Sequence, residues 1–168
     1  MNRFLFSRSP LGGSERSQAQ FELSVERYID APPATVFKVW TERLGDWWAP
    51  KPFKTRLIAQ ELRPGGRSAM VMSGPHGDTP VMEGVFLEVV PDRLIVMTNA
   101  FTAGWIPQTP FMVAFFELTP EGSGTRYRAG ARHWDEAALQ QHVAMNFSEG
   151  WGIVAGQLAD LAEAETRA

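Results

Sequence analysis

Cysteine is absent from all 168 residues, so the chain forms no disulfide, ligates no metal through thiolate and mounts no thiol nucleophile. A reducing, cytoplasmic setting fits a chain without bridges. Histidine is nearly as scarce. His76, His133 and His142 are the three, and no two stand four residues apart as a helical zinc pair would. No metal is expected, and no motif calls for another cofactor. Charge of one sign is also in short supply. The net charge is −3, and no basic cluster interleaves with aromatics, which argues against a nucleic-acid partner. No apolar run reaches the roughly 18 residues of a membrane span. Arg63 and Arg67 flank Gly65-Gly66, but the spacing and the lysine of a phosphate loop are missing. A nucleophile elbow is missing too.

What remains is a globular composition, with 44% hydrophobic and 21% charged residues over a length that suits one domain. Residues 1–20 stand apart. They carry Arg3, Arg8 and Arg16 against a single acid, Glu15, and Phe4-Leu5-Phe6 is too short for a secretory core. A loosely ordered extension is expected there, with the domain proper over residues 21–168. A homodimer, with the extension docked as an arm on the partner subunit, is the alternative.

The domain opens on a strand, in which Phe21, Leu23, Val25 and Arg27 alternate with Glu22, Ser24, Glu26 and Tyr28. Pro32-Pro33 stops it and suits the first turn of a helix striped by Val36, Phe37, Val39 and Trp40. Gly45 breaks the stripe, so a second short helix should follow up to Trp48. From Phe53 to Thr119 short strands alternate with turns at 63–66, 74–78 and 91–93. Connections this short join neighbouring strands antiparallel.

After Gly124 the two-residue alternation is strict. Arg126, Arg128 and Arg132 should face water while Tyr127, Ala129, Ala131 and His133 face inward. The inward set is mostly small. It leaves room that a helix or a ligand must fill. Asp135 is a good N-cap, and one helix should run from it to about Glu165 with Phe147, Trp151, Val154, Leu158 and Leu161 as its apolar stripe. Gly150, Gly152 and Gly156 suggest a bend in that helix, or a backbone lying close to the sheet.

Strand, two short helices, further antiparallel strands and a long terminal helix make an α+β, helix-grip arrangement. About seven strands should wrap the terminal helix. Within that order Ile29-Asp30-Ala31-Pro32-Pro33, Trp47-Trp48-Ala49-Pro50, Leu62-Arg63-Pro64-Gly65-Gly66-Arg67, Gly84 to Pro91 and Met145 to Gly152 resemble the START-like (SRPBCC) superfamily. The similarity is closest to the branch named after the activator of the heat-shock-protein-90 ATPase, which also takes in polyketide-cyclase-like proteins. Asn146 stands where that pattern has glycine, and Phe37 where it often has tryptophan. The resemblance implies a cavity between sheet and helix for hydrophobic or amphipathic small molecules, and it does not imply one activity. A co-chaperone role is not expected, since the chain lacks the additional domain of the eukaryotic activators.

The residues offer candidates for such a cavity. Trp47, Trp48, Met70, Met72, Met82, Met112 and Met145 either line it or fill the core, because thioethers suit irregular gaps. Trp105 sits in a Gly/Pro-punctuated loop, where a large aromatic would lid a pocket. Tyr127, Ala129, Ala131 and His133 would form the floor. His133 or His142, paired with Glu83 or Glu149, could act as general acid or base, or either could be a satisfied structural histidine. Glu83 is an edge charge or a polar fixture of the cavity. Binding of a hydrophobic small molecule without chemistry is the first reading. A polyketide-cyclase-like acid–base enzyme is the second, and a co-chaperone-like interaction module the third.

Overall fold

The computed structural model describes residues 20–168, so the extension expected over residues 1–20 lies, but for its last residue, outside them. The chain runs β1 (Glu22–Ile29), α1 (Pro33–Glu42), α2 (Leu44–Trp47), β2 (Lys54–Gln60), β3 (Arg67–Gly74), β4 (Gly77–Asp78) and β5 (Met82–Val90). It continues β6 (Leu94–Thr98), β7 (Phe101–Thr102), β8 (Ile106–Pro107), β9 (Val113–Glu121), β10 (Gly124–Arg132), α3 (Glu136–Ala144) and α4 (Phe147–Arg167). Seven strands form one antiparallel sheet in the order β1-β10-β9-β6-β5-β3-β2, with β4 a short addition on β3. β7 and β8 pair only with each other. This is the α+β helix-grip fold. No helix among the described residues is long and apolar enough to cross a membrane.

The closing strand behaves as its alternation requires. Tyr127, Ala129 and Ala131 are buried, and β10 pairs on one side with β1 and on the other with β9. The room behind these small residues is taken by α1 and α4, which pack on β10, and α4 brings its own small side chains Ala155, Ala159 and Ala162 into the core. On the opposite face the arginines are half-buried rather than free in water. Arg128 and Arg132 lie over the ring of Phe115, 4.6 and 4.5 Å from its centroid. Glu22 pairs with both, and Glu117 with Arg128. Phe115 can lie across β10 because Gly130 has no side chain: a Cβ there would come within 2.5 Å of the ring.

The terminal helix is two helices, not one. α3 ends at Ala144, Asn146 takes a left-handed φ of 63°, and α4 begins at Phe147. Asparagine tolerates that conformation better than most residues. The cause is legible in the burial. The apolar stripe begins only at Phe147, whereas α3 buries a single side chain, His142. α4 then runs unbroken through its three glycines. A Cβ at Gly156 would meet the Arg27 guanidinium at 3.7 Å, and one at Gly152 would meet nothing. The glycines therefore do not break the helix, and Gly152 eases no contact.

Candidate functional site

α4 packs chiefly on β1, β10, α1 and α2 and has no comparable contact with β3, β5 or β6, so the sheet stands away from it at that end. A cavity of two adjoining chambers fills the gap. The inner one, about 130 Å³, is walled by Trp40, Leu44, Met70, Phe86, Met97 and Phe116. The outer one, about 560 Å³, opens between Pro50, Met72, Val81, Phe111, Met145 and Phe147. Trp48, Met82, Glu83, Asn99, Met112 and Trp151 border both. Aromatic rings and thioethers thus make most of the wall. Trp151 stacks on Phe116 at 5.8 Å and meets Trp48 edge-on at 5.4 Å, which fixes the partition between the chambers.

Two amides hold the loops that carry these rings. The Gln157 side chain on α4 donates to the carbonyls of Trp47 and Ala49 at 2.7 and 3.0 Å and accepts from the Lys51 N–H at 3.1 Å. One side chain thereby satisfies three backbone groups of the turn bearing Trp48. Asn99 does the same opposite. Its Oδ1 accepts from the N–H groups of Phe111 and Met112 at 2.9 and 3.1 Å, and its Nδ2 donates to the Thr109 carbonyl.

Among the polar residues of the outer chamber is His142, which pairs with His133 behind it. His133 Nε2 and His142 Nδ1 are 2.9 Å apart, and His133 Nδ1 is 3.1 Å from the Phe21 carbonyl. Rings surround His142: Phe111 at 5.0 Å, Phe147 at 4.8 Å and Trp151 at 6.0 Å. Burial, with His133 alongside, pushes the His142 imidazole from 6.5 down to about 4. Neither ring contacts a carboxylate among the described residues. Glu149 pairs with Asn146 and Glu83 with Arg67, so the expected histidine–carboxylate pairing gives way to histidine–histidine. The Arg67 hydrogen bond holds the Glu83 carboxyl below the usual carboxylate range, which unfits it as a general acid at neutral pH.

The description of the activator of Hsp90 ATPase homolog 1-like proteins matches residues 30–163, nearly the whole domain. The chain belongs to this family. It lies in the START-like (SRPBCC) superfamily, and a crystal structure from Nitrosomonas europaea, 35% identical over 90% of this chain and 99% of that one, superposes with a TM-score of 0.83. A Silicibacter pomeroyi protein named for the same family is 19% identical over 86% of this chain and 99% of its own, with a TM-score of 0.67. A Mycobacterium smegmatis protein is 21% identical over 86% and 89%, with a TM-score of 0.68. Both of these share the fold. No curated protein matches the chain.

Of the residues singled out from sequence, this member of the activator-homolog family brings Trp48, Met70, Met72, Glu83, His142 and Met145 to the cavity wall. His133 stands behind His142 as its partner. Glu83 proves to be both paired, with Arg67, and on the wall. Five others lie elsewhere. Trp47, Tyr127, Ala129 and Ala131 are core, because β10 faces the end of α4 that closes on the sheet. Burial keeps the Tyr127 hydroxyl protonated, raising its pKa. Trp105 is no lid: it is 58% exposed on the β7–β8 turn, edge-on to Phe101 and against Gly65. The sequence reading missed Phe111, Asn99, Gln60 and Gln157. Only their spatial neighbours reveal them, and no local spacing marks them.

Proposed function

We propose that this protein binds an apolar or amphipathic small molecule in the two-chambered cavity and does not convert it. The observation that carries the reading is the wall itself, a continuous lining of tryptophan, methionine and phenylalanine around chambers of about 130 and 560 Å³. Ligand sites elsewhere have this make-up, mostly apolar with a few polar groups that orient the guest. Against catalysis stands the chemistry of those groups: the one carboxylate on the wall is committed to Arg67, and among the described residues no nucleophile adjoins a base there. Native mass spectrometry of the purified protein, followed by titration of the recovered compound against tryptophan emission, is the test. Trp48 and Trp151 border both chambers, so occupancy should change their emission. A protein that carries nothing and takes up no hydrophobic compound from a broad panel would end this reading.

One observation favours an acid–base enzyme instead. The Phe21 carbonyl, His133 and His142 form a hydrogen-bonded chain ending at the outer chamber, and such a chain can pass a proton. If a bound compound is converted, and conversion falls by roughly 10²-fold or more in His142→Phe, the enzyme reading replaces the binding one.

A further inference from the structure

The histidine pair leaves a hydrogen-bond acceptor at the outer chamber. A carbonyl oxygen can only accept, so the Phe21 carbonyl, 3.1 Å from His133 Nδ1, places the proton on that nitrogen. With no carboxylate on either ring among the described residues, the neutral His133 is left with a lone pair on Nε2. His142 Nδ1, 2.9 Å away, must then be the donor, and His142 Nε2 is left with a lone pair and no proton. That Nε2 makes no hydrogen bond to the described residues and is not enclosed, and His142 lines the outer chamber. At the inner chamber the same logic applies to Gln60. Its Nε2 donates to the Thr41 carbonyl at 2.9 Å, which fixes the amide and leaves Oε1 without a partner, though enclosed and out of a guest's reach. Glu83, an ionised carboxylate, also accepts only.

Donors are present too, all of them neutral: the Trp48 and Trp151 indoles border both chambers. Asn99 and Gln108 each give one of their two amide protons to a backbone carbonyl, and the Thr98 hydroxyl gives its proton to the Met112 carbonyl. The Trp40 indole N–H is buried without a hydrogen-bond partner among the described residues, and Arg67 is paired with Glu83. The Ser68 hydroxyl can donate or accept.

We infer that the cavity selects apolar molecules bearing a hydroxyl group over those bearing a carboxylate, with His142 Nε2 accepting the guest's hydroxyl proton. This rests on the binding reading above and narrows it to a ligand class. A carboxylate guest would lose its hydration beside the Glu83 charge, with no free cation on the wall among the described residues to replace it. A hydroxyl meets a waiting lone pair. His142 is then a specificity-determining residue, and His133 a positioning residue that sets its tautomer.

The experiment titrates the full chain, at mildly alkaline pH, with decanol and with decanoate, reading tryptophan emission. Decanol should bind at least about tenfold more tightly, the worth of one good hydrogen bond together with the avoided burial of an unpaired charge. His142→Phe should reduce that preference to within about twofold of the difference intrinsic to burying the two headgroups in an apolar site, while His142→Gln, which keeps an acceptor, should retain part of it. In wild-type protein, nitrogen NMR should show the His142 Nε2 resonance moving with decanol and not with decanoate, a readout that needs no variant to fold. Equal binding of the two, or a still Nε2 resonance, would overturn the donor preference and leave binding standing. Binding of neither would overturn the binding reading itself.

Discussion

At the scale of single residues, His142 is where burial and charge meet. In the unfolded chain it takes up a proton near pH 6.5, whereas in the fold it does so only near 4. The charged form is thus disfavoured by folding. Its neutral-state contribution is fully present above pH 6.5 and is lost as pH falls toward 4, because the unfolded chain binds the proton first. The loss amounts to at most about 3 kcal/mol, since each tenfold drop in proton affinity on folding is worth about 1.4 kcal/mol. Denaturant midpoints measured across that interval should fall more steeply for wild type than for His142→Phe. Parallel pH profiles would remove His142 as the titrating group. From the sequence, His133 and His142 were both candidates, and their partnership with each other was not visible. Nine positions separate them along the chain, and a strand end and a helix must be folded before the two rings touch.

Among the secondary-structure elements, the site depends on contacts between helices and loops that periodicity does not encode. α4 was legible from Phe147 onward because five apolar residues recur at spacings of four and three. α3 carries no such stripe, so its separation from α4 at Asn146 went unread. Gln157 is the sharper case. On the sequence it is one polar residue in a helix, yet it satisfies three backbone groups of the turn that presents Trp48. Replacing Gln157 with leucine should cost about 2–4 kcal/mol, from three hydrogen bonds at roughly 0.5–1.5 kcal/mol each. The Trp48 emission should change at the same time, since its turn is released. Chemical denaturation with a tryptophan readout checks both, and a cost under about 0.5 kcal/mol with unchanged emission would show that the turn holds itself.

Taken as a whole molecule, the fold has a closed end and an open end. At the closed end α4 sits on β1 and β10 with alanines between, and Leu158 is fully buried. At the open end large flexible side chains edge the two chambers. Truncation should therefore cost different amounts at the two ends. Leu158→Ala should lose about 2–5 kcal/mol, because well-packed surroundings relax little around a new void. Met70→Ala or Met112→Ala should lose less, since the space beside them already exists. Thermal melts of the three variants test this, and equal losses would mean that the cavity wall is as tightly packed as the core.

Local patterning along the chain was enough to specify the strand alternation of β10, the apolar stripe of α4 and, with the turn-punctuated antiparallel order, the fold, while the family showed in the resemblance of five short sequence pieces. The first two of those signals are repeats of two and of about 3.6 residues that burial of one face imposes on neighbouring positions. Composition also marked tryptophan and methionine as cavity material without deciding which of them face the void. Only the packed layers settled that. Small residues on β10 promised space, but α1 and α4 close on them, and the void opens instead where α4 leaves the sheet near β3, β5 and β6. Trp47 and Trp48 are adjacent in sequence, yet one is core and the other cavity wall. That division follows from where a helix diverges from a twisted sheet, which is a property of the assembled layers and of no single segment.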